Sequence, residues 1–103
     1  MGARANVIIK SGTEQVVLYS HWGGRDVVTQ VKEALARKAR WDDFQYLTRI
    51  VFCQMLDDLT GETGFGITTT IHDNEFPVTT INVDDQTVEV EDGKTLSFEE
   101  FIR

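Results

Sequence analysis

One cysteine, Cys53, is present in 103 residues, so no disulfide can form within the chain and stability has to come from packing. Cys53 lies inside an apolar stretch and reads as a buried small residue, not a reactive thiol. A single proline, Pro77, excludes a proline-rich linker, and no tandem repeat or low-complexity run divides the chain. No apolar run approaches the roughly 20 residues of a membrane-spanning helix, and none at the N-terminus resembles a secretory leader. The expected location is therefore the cytoplasm. Cations are few: 10 Lys and Arg stand against 17 Asp and Glu, giving a net charge of −7. That balance argues against direct binding to nucleic-acid phosphates, which needs positive charge to displace counterions.

What remains is a chain with 41% apolar residues and 10% aromatics, long enough for one domain with one core. The stretch from Trp41 to Leu59 organises it. At helical spacing Phe44, Leu47, Val51 and Met55 share one face, and Tyr46, Ile50 and Cys53 share the opposite side. A helix apolar on two sides is expected to lie between two layers of structure. Asp42 with Gln45 makes a capping box for its start, and the stop is expected near Leu59 before the loop chemistry of Thr60 to Gly64.

Before that helix, residues 5–10 and 15–22 read as a β-hairpin around Ser11-Gly12. Period-two alternation puts Val17, Tyr19 and His21 on one face and Val16, Leu18, Ser20 and Trp22 on the other. Gly23-Gly24 breaks the strand, and Asp26 is a good N-cap for a helix over 27–39 with a Glu33–Arg37 pair. Its basic end, Arg37-Lys38-Ala39-Arg40, suits the negative pole of the helix dipole.

After the central helix the chain turns β-rich. Strands are expected over 65–71, 78–83 and 87–91, with a polar connection over 72–77 and a hairpin turn at Asp92-Gly93. Ser97 and Glu100 form a capping box for a short terminal turn that docks Phe98, Phe101 and Ile102. The order ββααβββ, with that C-terminal helical turn, implies a single α+β domain over 1–103 with a mostly antiparallel sheet covered by two helices.

No nucleophile–base pattern or compact metal motif is present, so no catalytic residue and no cofactor or metal is assigned. Two groups could form sites. The strand end His21-Trp22-Gly23-Gly24-Arg25 could offer backbone amides to an anion at a helix start, with Arg4, Arg49 and Asp73 completing a pocket. His72-Asp73-Asn74-Glu75 could join His21 if both loops lie at one end of the sheet.

The largest charge feature is the acidic half of the chain. Residues 1–41 carry seven cations and three acids, a net +4, while residues 42–103 carry three and fourteen, a net −11. Asp84, Asp85, Glu89, Glu91, Asp92, Glu99 and Glu100 could form a surface that imitates the charge of DNA and docks on a basic partner protein.

Six stretches carry a resemblance: Met1-Gly2-x-Arg4, Tyr19-x-His21-Trp22-x-Gly24, Arg40-Trp41-Asp42-Asp43, Tyr46-Leu47-x-Arg49-Ile50-x-Phe52-Cys53, Thr63-Gly64-x-Gly66-Ile67 and Asp73-Asn74-Glu75-x-Pro77. On these residues the chain resembles a family of small uncharacterised proteins of bacteria and their phages or prophages. The resemblance implies a phage-associated context, and with it the cytoplasm of the host cell, and carries over no activity and no residue roles. With the −11 segment, it favours a non-enzymatic protein-binding module that engages a basic host protein or complex, such as an inhibitor of a CRISPR-type defence system. The alternatives are a small-ligand, nucleotide-binding or anion-binding protein, a hydrolase included, with its pocket near Gly23-Gly24, and a homodimer formed through a sheet edge.

Overall fold

The computed structural model describes residues 3–56, 64–91 and 94–103. Within them the chain forms β1 (Ala5–Ser11), β2 (Glu14–Ser20), α1 (Asp26–Leu35), α2 (Phe44–Met55), β3 (Phe65–Thr68), β4 (Thr79–Asn82), β5 (Thr87–Glu91), β6 (Lys94–Ser97) and α3 (Phe98–Phe101). The six strands make one sheet in the order β3-β2-β1-β4-β5-β6, antiparallel except where β4 runs parallel to β1. The fold is α+β, as expected, with one strand more than the sequence suggested.

Both large helices lie on one face of the sheet. Alternation puts Ala5, Val7 and Ile9 of β1 and Leu18 of β2 on that face, where they are buried with Val27, Val31 and Leu35 of α1 and Leu47, Val51 and Met55 of α2. Ile81, Val83 and Val88 extend the same core toward β5, and α3 closes it with Phe98 and Phe101. The Trp41 ring meets the edge of Phe98 at 5.3 Å between centroids and donates its indole N–H to the Leu35 carbonyl. This one cluster joins the end of α1, the entry to α2 and the C-terminal turn.

The opposite face is covered differently. β3 and β4 both run parallel to β1 yet lie on opposite sides of the β1–β2 pair, so residues 69–78 must cross the sheet to connect them. Val17 is fully buried although it points away from the helices and lies outside their core. Its neighbours on that face show what covers it. Gln15 donates to the Thr69 carbonyl at 2.8 Å, and Asn6, 1% exposed, donates to the Asp73 carbonyl at 2.5 Å and to Asn74 Oδ1 at 3.0 Å. An irregular segment can rest on a sheet only if its backbone groups find partners, and these two side chains supply them.

Several local expectations are corrected. The cap of α2 is Asp43, whose carboxylate accepts from the Tyr46 amide, one residue beyond the expected Asp42; the helix ends at Met55 instead of Leu59. Asp26 is the first residue of α1, whose N-cap is Arg25 without a side-chain hydrogen bond. α1 stops at Leu35, so Arg37 to Arg40 lie outside it; Lys38 and Arg40 take left-handed φ values of 53° and 61°. The Glu33–Arg37 pair does not form, and Arg37 instead donates to Gln54 Oε1 across the helix pair. β3 is shorter than expected, since Ile71 belongs to the crossover. The predicted Asp92-Gly93 turn and Thr60 to Thr63 loop lie outside the described residues.

The central helix is also not enclosed. One sheet and α1 cover its Leu47–Val51–Met55 line, which leaves Tyr46 52% exposed and Cys53 exposed. Tyr46 carries the Arg40 guanidinium on its ring at 4.8 Å. Cys53 is thus an exposed thiol, contrary to the buried residue expected.

Candidate functional site

The most site-like feature lies where the crossover passes the ends of β1, β2 and β3, on the face away from the helices. A cleft of about 290 Å³ is lined by Asn6, Tyr19, Gly66, Ile67, Thr68, His72 and Asp73. Strand alternation explains why these residues meet. Asn6 and Tyr19 are cross-strand partners, and Tyr19 is in turn the partner of Gly66, so all three occupy one row of the open face.

Beside the cleft the polar groups are paired with one another. Tyr19 Oη lies 2.7 Å from His21 Nδ1. Burial, reinforced by the Asp73 carboxylate, raises the Tyr19 pKa above that of a free phenol, so the hydroxyl holds its proton. The Arg4 backbone N–H donates to Glu75 Oε1 at 2.9 Å, its Nε donates to the same oxygen at 3.2 Å, and a terminal nitrogen stands 3.9 Å from Asp73 Oδ2. The Glu75 amide returns a bond to the Arg4 carbonyl at 2.9 Å. The hydrogen bond from the Arg4 amide, with the guanidinium charge, lowers the Glu75 pKa.

The sequence candidates divide between this place and others. Arg4, His21 and Asp73 come together here, with His72 and Glu75. Arg49 does not: it is exposed on α2, across the sheet from the cleft. Arg25 rests over the Phe76 ring at 5.8 Å, beside a separate and mostly apolar hollow formed with Gly24, Val27, Val28, Pro77 and Val90.

In the Gly23-Gly24 turn both glycine amides are bonded within the protein. Gly23 N–H donates to Ser20 Oγ, Gly24 N–H to the Ala3 carbonyl and Asp26 N–H to the Gly23 carbonyl. Glycine is needed for packing there: a Cβ on Gly23 would come within 2.5 Å of Ser20 Oγ, and Gly24 has a φ of +52°. Trp22 is 61% exposed; its ring meets His21 edge-on at 4.9 Å and fills the space that a Gly64 side chain would take.

Among the described residues no three His, Cys, Asp or Glu side chains gather to hold a metal ion. The residues that the sequence reading missed are Asn6 and Tyr19. Both looked like ordinary members of alternating strands, and only Asn6, a polar residue between Ala5 and Val7, carried a signal.

Three members of the acidic set serve the fold. Asp84 accepts from the Ser11 hydroxyl at 2.8 Å and the Gly12 amide at 2.7 Å, tying the β1–β2 turn to the β4–β5 turn. Asp85 bonds with Asn82, and Glu100 completes the capping box with Ser97. Glu89 shares a shallow groove on the open face with Lys10, while Glu99 is exposed on α3. Asp92 and the Glu91 side chain lie outside the described residues.

These bonds set an acid limb to stability. The Ser11 hydroxyl lowers the Asp84 pKa, the Ser97 amide lowers that of Glu100, and the Arg4 amide that of Glu75. A carboxylate with a depressed folded-state pKa contributes stability above its unfolded value, about 4, and loses it as pH falls through the folded value. The melting temperature should therefore fall below about pH 4. The triple variant Glu75→Gln, Asp84→Asn, Glu100→Gln should melt lower at neutral pH and show a flatter acid limb. Parallel melting curves against pH would contradict this.

The described residues include no helix long and apolar enough to cross a membrane. Compared with protein-family models, curated proteins and solved structures, the chain matches none.

Proposed function

We propose that this chain is a non-catalytic binding module whose ligand site is the cleft between β2, β3 and the crossover. The observation that carries this reading is convergence. Residues from β1, β2, β3 and the crossover, distant in sequence, form one concave cleft, mostly apolar with a few polar groups, and the buried Asn6 amide fixes the crossover against it. Four of the stretches on which the family resemblance rests supply residues there: Arg4, Tyr19 with His21, Gly66 with Ile67, and Asp73 to Glu75. Binding sites are concave, largely preformed and furnished with a few placed polar groups, which is the pattern here.

Binding is favoured over catalysis by how the groups are engaged. The Tyr19 hydroxyl is bonded to His21, and Arg4 is neutralised by Glu75 and Asp73. Such pairing holds walls in place and leaves little free to exchange protons. The cleft is at the small end of the roughly 300–1,000 Å³ range of ligand pockets, so its occupant is a compact molecule or one side chain of a larger partner.

Amide chemical-shift mapping during a screen of small polar compounds of all charges tests the reading. The expected result is a set of ligands whose shifts cluster at Asn6, Tyr19, Gly66, Thr68 and Asp73. Ligands that bind only elsewhere, for instance along Arg25 and Phe76, would sink it.

A further inference from the structure

The cleft's electrostatics identify the class of ligand, an inference that rests on the binding reading above. Three groups set its charge: Asp73 in the wall, Glu75 behind it and Arg4 between them. Arg4 gives its backbone amide and Nε to Glu75 and reaches Asp73 only at 3.9 Å. With both histidines counted neutral, one guanidinium faces two carboxylates, and the surplus charge is negative. It is located at Asp73, whose side chain is 63% exposed where Glu75 and Arg4 are 34% and 33% exposed. Arg25 and Arg49, the other cations once expected to serve a pocket, stand elsewhere.

Another part of the lining is aromatic. Tyr19 lies across from Gly66, and a Cβ built there would stand 3.8 Å from Tyr19 Cβ and Cδ2. A side chain at position 66 would extend over the ring, and glycine leaves that flank open to the cleft. The quadrupole of a tyrosine ring attracts cations, most strongly where water is partly excluded. A cleft of side-chain size lined by both an exposed acid and an aromatic ring has the chemistry to take a positive organic group.

We infer that this cleft binds an organic cation, an ammonium or guanidinium group, with Asp73 as counter-ion and the Tyr19 ring as its apolar wall. The cation has two sources, a free amine or guanidine, or the Lys or Arg side chain of a partner protein. The preference is opposite to the anion pocket suggested by the glycines and arginines of the sequence.

The test is amide shift mapping with butylammonium and methylguanidinium, with butyrate and butanol as charge controls, and with Ala-Lys-Ala and Ala-Arg-Ala peptides as the chain-borne form. The cations should move the amides of Tyr19, Gly66 and Asp73, and Asp73→Asn should weaken them about fivefold. Asp73 holds the fold through its backbone carbonyl, so Asp73→Asn keeps that contact. Tyr19→Leu should weaken binding further than Tyr19→Phe, which keeps the ring. Binding by small cations supports a free amine ligand; binding by the peptides alone supports a partner side chain. Equal or tighter binding of butyrate or butanol at the same amides, or indifference to Asp73→Asn, would overturn the cation inference and leave the cleft a ligand site. Absence of any shift in the cleft with every probe would overturn the cation inference, while the wider screen above decides the site itself.

Discussion

Phe98→Ala is expected to destabilise the protein by about 3–5 kcal/mol, enough to consume much of the 5–15 kcal/mol that a domain of this size commands. Phe98 is 1% exposed and is the point where three separate pieces of chain meet. Its ring abuts Trp41, which is itself bonded to the end of α1, and its amide donates to the Gln86 carbonyl of the β4–β5 turn at 2.9 Å. The Ser97–Glu100 capping box holds the ring at that angle. Removing it leaves a cavity bordered by Trp41, whose position is fixed by its own hydrogen bond, so the site cannot collapse readily. Urea melts of Phe98→Ala and Phe98→Leu give the test: leucine should recover a large part of the loss. A change under about 1 kcal/mol for alanine would mean that the last turn is only an appendage.

Asn6→Ala should cost about 2–3 kcal/mol, from two lost hydrogen bonds and a carbonyl left without its donor. The more informative consequence is where the loss appears. Asn6 anchors the crossover, which roofs Val17 and supplies Asp73 to the cleft, so its removal should loosen that segment before the rest of the sheet. Hydrogen exchange at the Glu75 amide, bonded to the Arg4 carbonyl, should accelerate more than at the β1–β2 ladder. Asn6→Asp keeps the size without the amide donors and should behave like alanine. Uniform acceleration across the sheet would show that Asn6 supports the whole domain, and ligand binding that survived the substitution would separate the cleft from the crossover.

The cleft reading also gives the acidic half of the chain a different meaning. Acids such as Asp84 and Glu100 fasten turns and a helix start, where a carboxylate accepts amide and hydroxyl protons. Their number in the sequence suggested a surface, but their hydrogen bonds show local duties that composition does not register. In the cleft reading the acid that meets the ligand is Asp73, a single acid on the crossover whose side chain is 63% exposed.

What the sequence alone determined follows from interactions between near neighbours. The inward row Val16, Leu18 and Ser20 of β2 follows from a period of two, and the Ser97–Glu100 box follows from spacing within one turn. The start of α2 was legible to within one residue, because Asp42 and Asp43 are both competent caps and the geometry chooses between them. The same local signals failed where the determining partner is remote. β6 went unread because Lys94 to Ser97 has little alternation and Leu96 stays 41% exposed, so it is a strand by virtue of pairing with β5. α1 was overextended because the left-handed turns at Lys38 and Arg40 oppose ordinary backbone preference and are stabilised by the packing of Trp41 and Tyr46 around them.

Only the tertiary structure decided that β4 joins β1 in parallel and sends residues 69–78 across the open face. Strand order is set by hydrogen bonds between segments about 70 residues apart, such as Asn6 to Asp73, and no local pattern encodes them. The same arrangement turned one side of α2 to solvent and brought Tyr19, Gly66 and Asp73 into a single cleft.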